Sequence, residues 1–324
     1  MEPAGPVMPE HEPIAPSRGR YGAQNLAVLG AQIVGWALLL TGIEHAPAGL
    51  VGVAIRAVLV VLFCFLMQGV FTMMHEYFHR NAHKSREVNY GIGIVASTLF
   101  GTSATLHRVH HWGHHVRNRS EAERGEFIHP SESPAKKVAL YYFAICGGLY
   151  VGGLVFPLLS FFIPYSAVRA LAKTKRFNTY AAAHEQFKSV DWAAMRAEAL
   201  VLYVFWGLLI AFGPWSISTL LLAYGAFAFS WSSLQWAYHL RTPLHVVEGA
   251  YNLRAPWLVR VLFLNFNYNL THHRQPALPW QELCAASDPK ETQPLWYRWA
   301  LMAKPPQRFP EDPAELAFLE KRYF

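Results

Sequence analysis

The chain is poor in charge. Asp, Glu, Lys and Arg make up 15% of its 324 residues, where an ordinary soluble domain carries about a quarter, so there is too little charge to coat a water-facing surface of this size. Cysteine is scarcer still. Cys64, Cys146 and Cys284 are the only three, none at C-x-x-C spacing, which excludes a disulfide framework, a zinc ribbon and a fused rubredoxin-type iron site. Internal repeats and low-complexity blocks are absent. So are the aromatic-laced basic patches through which a chain of net charge +7 would hold nucleic acid. The first twenty residues, "MEPAGPVMPEHEPIAPSRGR", lack the short apolar core and small-residue cleavage site of a signal peptide. They read as a disordered cytoplasmic tail, which divides the chain into a tail over 1–24 and one membrane domain over 25–324.

Apolar residues fill the space that charge leaves, at 53% of the chain. Asn25 to Ile43 and Leu50 to Met74 are each long enough to cross a hydrocarbon core of about 30 Å as a helix. Arg18 and Arg20 precede the first, and Arg80, Lys84 and Arg86 follow the second, so both outer ends of this hairpin are expected in the cytoplasm. Arg56 is placed to snorkel at the far side. Ala199 to Ala237 is a second hairpin, cut by the turn signal "GPW" at Gly213 to Trp215. Gly91 to Thr105 is too short to span. Val138 to Pro164 is long enough but broken by glycine pairs and Pro157, and a single crossing there would put the histidines on its two sides on opposite membrane faces. Both segments are therefore expected to be interfacial or re-entrant. The basic stretch from Arg169 to Arg196 continues on the cytoplasmic side, and the chain from Pro276 onward forms a cytosolic cap. The expected fold is an all-α polytopic membrane bundle of two transmembrane hairpins, with interfacial or re-entrant helices and a cytosolic cap carrying a histidine-rich di-metal site.

Histidine is the ligand type in surplus, at sixteen residues. "HEYFH", His75 to His79, sets two imidazoles one turn apart and fits the H-E-x-x-H pattern in which Glu76 would be the base of a zinc protease; His83 continues the row. "HRVHHWGHH" supplies His107, His110, His111, His114 and His115, "NYNLTHHRQP" supplies His272 and His273, and His239 ends "LQWAYH". The solitary His11, His45, His129, His184 and His245 read as solvated or locally bonded side chains. Five histidines within nine residues do not, because every buried ring nitrogen needs a partner. A zinc protease uses three protein ligands and an open position, which leaves the later clusters idle. Eight or more imidazoles suit a pair of transition-metal ions, iron foremost, with positions left for dioxygen. Glu76 then becomes a hydrogen-bond partner of the ligands. Gln235, one turn before His239, faces the same way; it either orients a bound water or bonds a neighbouring helix.

The order "HEYFH", "HWGHH", a lone His239 and "NLTHH" resembles the membrane fatty-acid desaturase and alkane-hydroxylase superfamily, integral-membrane enzymes with three histidine boxes around a di-iron centre. The likeness runs from about Asn25 to Pro276. It implies that His75 and His79 form the first box, that His111, His114 and His115 form the second, and that His239 is an extra ligand before the third. The third box is usually H-x-x-H-H; here Asn269 takes the first place, followed by His272 and His273, and its amide oxygen would bind iron weakly or hold a water. "HHVRNRSEAERGE" is similar to the alkane hydroxylases, whose leading histidine stands one residue earlier and would select His110; His107-x-x-His110-His111 is a third frame. The resemblance further implies O2-dependent oxidation of a fatty-acyl chain by two iron ions. Desaturation comes first, then hydroxylation of an alkyl or carotenoid-type chain, then oxidative decarboxylation to a terminal alkene. An intramembrane zinc protease is the alternative of another class; a metal transporter is disfavoured by spans whose polar side chains are few, Gln68 and Gln235 among them. With no reductase motif present, electrons must come from a separate ferredoxin-, rubredoxin- or cytochrome b5-like donor and its reductase, docking on Arg117, Arg119, Lys136 and Lys137. The expected place is a bacterial inner membrane, with the site facing the cytoplasm.

Overall fold

In the computed structural model the structure describes residues 19–120, 123–172 and 187–309. The tail before residue 19, with His11, and the part of the basic stretch over 173–186, with His184, lie outside the described residues. The first apolar run forms α1 (Gly22–Glu44) and the second α2 (Gly49–Phe78). Gly49, at φ +82°, starts the return, and Arg56 donates to the carbonyls of Ile43 (3.4 Å) and Ala46 (2.7 Å), satisfying the open end of α1. A helix of thirty residues is about 45 Å long, more than the hydrocarbon core needs, so the last turns of α2, which carry His75, reach beyond it.

The second hairpin is α8 (Ser189–Phe212) and α9 (Ile217–His239). Glu44 of the first hairpin accepts from the N–H (2.8 Å) and hydroxyl (2.7 Å) of Ser216 just before α9, and the Trp36 indole donates to Tyr224 at 2.7 Å. The two hairpins are thus tied at the end remote from the histidines.

Between them lie α3 (Arg86–Phe100), α4 (Ala104–Arg117), α5 (Pro134–Phe143), α6 (Leu149–Leu159) and α7 (Tyr165–Ala172). Gly101, at φ +98°, closes α3, and Ser103 caps α4 through its hydroxyl. This corner is held by a buried carboxylate. Glu198 of α8 accepts from Ser103 Oγ (2.5 Å), Thr105 N (2.8 Å), Thr105 Oγ1 (2.6 Å) and Tyr90 OH (2.8 Å), so both its oxygens are satisfied inside the bundle.

Five segments among the described residues are long and apolar enough to cross a membrane, and Pro134–Leu159 is the one beyond the four of the expected hairpins. It is not a continuous α-helix. A π-turn over Ala144–Gly148 with Gly147 at φ +121° separates α5 from α6. His115 before it and His239 after α9 end in ring contact with the same partner, His273, at 4.7 and 5.0 Å. The number of crossings between them is therefore even, and the broken segment cannot make a single crossing beside α8 and α9.

The remainder is short: α10 (Trp257–Leu262), α11 (Asn269–Arg274), α12 (Trp280–Ala286) and α13 (Leu295–Ala300), with two parallel strand pairs, β1 (Phe127–Ile128) with β4 (Gln307–Arg308) and β2 (Asn252–Arg254) with β3 (Thr292–Pro294). Trp280 Nε1 and Gln281 Nε2 each donate at 2.9 Å to Asn25 Oδ1, closing this cap on the start of α1.

Candidate metal centre

Four elements bring the histidines together. His75 lies in the last turn of α2 and His79 at its cap; α4 supplies His111, His114 and His115, α9 ends on His239, and α11 carries His272 and His273. Trp112 Nε1 donates to the Phe78 carbonyl at 3.2 Å, locking α4 against the end of α2. His75, His79, His111, His115 and His272 form one group and His114, His239 and His273 a second; within each, the candidate ligand atoms lie within 4.8 Å of one another.

The inner distances carry the chemistry. Nε2 of His75 is 3.1 Å from that of His272, His79 is 2.8 Å from His111, and His115 is 2.9 Å from both His111 and His272. His114 and His273 face each other at 3.3 Å. Two nitrogens at a right angle on one ion, each about 2.1 Å from it, stand about 3.0 Å apart. A neutral imidazole has one N–H, so an inward ring of Nε2 atoms cannot be satisfied by hydrogen bonds alone. The donor set fits metal ions. Burial pushes the His79 imidazole down to about 3; burial, then the neighbouring imidazoles, hold His111 and His115 well below the ordinary value. These rings stay neutral, as ligation requires.

The outer nitrogens differ between the groups. His114 Nδ1 meets Glu123 Oε2 at 2.6 Å, and His239 Nδ1 donates to the Gly249 carbonyl at 3.0 Å. Nδ1 of His75 and of His115 is buried without a hydrogen-bond partner; the His75 ring is wedged instead among Phe78, Phe266 and the neighbouring imidazoles.

Other candidates lie elsewhere. His110 is in neither group; its ring faces Phe187 at 5.8 Å and Phe156 at 6.5 Å. His107 is also outside them, its Nδ1 on Thr102 Oγ1 at 3.1 Å. The row expected to continue to His83 stops because α2 ends at Phe78 and Arg80 takes a left-handed φ of 61°. Glu76 is buried in the same turn as His75, but its carboxylate meets the backbone N–H of Trp280, and Oε2 has no partner; the expected bond to an imidazole is not made. Asn269 is buried on α11, with Oδ1 unpartnered, and Gln235 has a buried, unpartnered Nε2. Arg119 is no docking cation: its guanidinium is 1% exposed and paired with Glu126. Glu123 and Gly249 were missed by sequence reasoning. The only signal for either was a carboxylate nine residues beyond His114.

These features define a polytopic membrane protein with a histidine-built metal centre for two ions. The chain belongs to the fatty acid desaturase family, whose model matches residues 18–303, nearly the whole described chain; the family comprises membrane di-iron oxidoreductases, and the two histidine groups fit that chemistry. No curated protein matches it. Its general activity is oxidation of a fatty-acyl chain, and it is an integral membrane protein.

Proposed function

We propose that the chain desaturates a fatty-acyl chain with dioxygen, using two iron ions held by His75, His79, His111, His115 and His272 on one side and His114, His239 and His273 on the other. The observation that carries this is the meeting of eight imidazoles from four separate elements at nitrogen spacings suited to shared ions. Iron bound there supplies oxidation of an unactivated C–H bond. The protein's share is to hold the ligands neutral and to keep water away. Phe266 and Phe71 stand 5.0 and 6.4 Å from His75, and Trp231 packs on Phe71 at 5.4 Å, which makes a dry apolar wall for the chain to lie against. Asn269, four residues before His273 on the same short helix, has a buried amide oxygen without a hydrogen-bond partner, a further weak donor for the centre, and Gln235, one turn before His239, has a buried unpartnered Nε2 that would hold a bound water.

The centre faces the cytoplasm. Arg20, Arg80, Lys84 and Arg86 flank the histidine-bearing ends of the first hairpin, whereas the link between α1 and α2 has no Lys or Arg. A Lys136→Cys variant should react with an impermeant maleimide in inverted vesicles and be protected in right-side-out ones. Electrons come from a separate ferredoxin-, rubredoxin- or cytochrome b5-like carrier meeting exposed Lys136 and its neighbours.

Expression in a host that supplies a reductase, followed by mass spectrometry of lipids and volatiles under isotopic O2, tests the reaction. A product lighter by two hydrogens supports desaturation. Labelled oxygen in the chain replaces it with hydroxylation, and a terminal alkene one carbon shorter replaces it with decarboxylation.

A further inference from the structure

The three-histidine group is braced by residues that hold no ligand atom toward it. Asn118 caps α4, its N–H donating to the His114 carbonyl at 2.7 Å, and its side-chain Nδ2 donates to the carbonyls of Val246 and Gly249, both at 3.1 Å. The Gly249 carbonyl is also the acceptor for His239 Nδ1 at 3.0 Å. One carbonyl is therefore fixed by the residue that ends α4 and in turn fixes the imidazole that ends α9. A proton on Nδ1 of His239 leaves Nε2 as the lone pair available to an ion.

A second tie runs beside the first. Arg119, left-handed at φ 64°, turns its guanidinium onto Glu126; the two side chains are 1% and 0% exposed. Glu126 also accepts from the N–H of Arg241 at 2.8 Å, two residues after His239, and Arg119 reaches the Thr242 carbonyl at 3.4 Å. Thr242 returns a bond of 2.6 Å to the His239 carbonyl. The fit is close enough that a Cβ on Gly249 would clash with Arg119 Cγ. No comparable tie reaches the outer nitrogens of His75 or His115.

We infer that Asn118 and Glu126 are positioning residues for one metal ion of the pair, latching the ends of α4 and α9 so that His114 and His239 face His273 with the correct nitrogen. The inference rests on the two-ion reading above. Removing the latch costs the ion of the three-histidine group and spares that of the five-histidine group, which keeps His75, His79 and His272 on other elements and His111 one turn nearer the anchored start of α4.

The test is metal content and 57Fe Mössbauer spectra of detergent-purified full-length protein, with circular dichroism as the check on folding. Asn118→Asp keeps shape and loses the donor; Asn118→Leu loses both. Each should lower the affinity for one ion about 10- to 100-fold, removing one iron component from the spectrum and leaving the other unchanged with full helix content. Glu126→Gln should do the same, and because it strands a buried guanidinium that could unfold the protein, the Asn118 variants decide. Both iron components retained in Asn118→Asp, or both lost with helix content intact, overturns the latch. Wild-type protein that takes up only one ion under the same loading overturns the two-ion reading instead.

Discussion

The two histidine groups share α4 and α11, yet they are held by opposite means. The five-histidine group is a crowd: His115 Nε2 lies 2.9 Å from two other rings, phenyl rings close around His75, and the outer nitrogens of His75 and His115 bond to nothing. The three-histidine group is sparse and hydrogen-bonded, with Glu123 on His114 and Gly249 on His239. Crowding fixes a ring by excluding other rotamers, while a hydrogen bond fixes both its orientation and its tautomer. Damage to the first group should therefore come from changing ring volume or removing a ligand. Damage to the second should also come from residues that touch no metal.

The largest effect tests the crowd at its centre. His115→Ala deletes the imidazole shared by two close nitrogen pairs and should cost more than about 100-fold in oxidation, beyond the range set by outer partners, together with bound iron. His273→Ala should be equally severe. Product mass spectrometry and metal analysis of the same preparations measure both; full activity in either variant removes that histidine from the ligand set. Next comes Glu123→Gln, which trades a carboxylate at 2.6 Å from His114 Nδ1 for a weaker acceptor. It should weaken one ion by about 10-fold, visible as a shifted binding isotherm for that ion alone. An equal loss at both ions would erase the distinction between the groups.

A third substitution strikes the helix both groups share. Glu198→Gln leaves a neutral amide facing four donors, three of them at the start of α4. Lost charge-assisted bonds and an N–H facing other donors should cost about 3 kcal/mol, read as a lower thermal midpoint in detergent, with both ions weakened to a similar degree. Selective loss of one ion here would mean that α4 is not a rigid unit.

Much of this was legible in the sequence because it follows from local pattern. Apolar runs of spanning length, the Gly213 to Trp215 break and imidazoles at helical spacing all lie within one segment. The unreadable parts depend on how segments rotate against one another. His110 and His111 are adjacent, and only the docking of α4 on α2 turns His111 inward and His110 toward Phe187. His83 lost its expected row to one left-handed residue, Arg80. Arg119, read as a surface cation, is buried because Glu126 and the chain after His239 close over it, a contact spanning more than a hundred residues. Pro134–Leu159 could be recognised as irregular from its glycines, but the π-turn that breaks it has no signature of its own.

The smallest effect concerns a histidine that belongs to neither group. His107 stands one turn before His111 on α4, its ring against Phe100 at 5.4 Å and Trp231 at 5.8 Å. Thr102 Oγ1 donates to the Gly153 carbonyl at 2.8 Å, so it accepts from His107 Nδ1–H. Burial pushes the His107 imidazole down to about 4 from an ordinary 6.5. The unfolded chain takes up this proton as the pH falls below 6.5, whereas the folded one resists until about 4. Stability on this account is complete above 6.5, declines through the window and levels off below it. His107→Gln removes the group, so in metal-loaded protein, whose ligand histidines are held by the ions, the difference between variant and wild type should change by about 3 kcal/mol across that window. Parallel acid limbs in thermal melts would mean that His107 is protonated as freely in the fold as in water, and that its ring meets the solvent rather than Phe100 and Trp231.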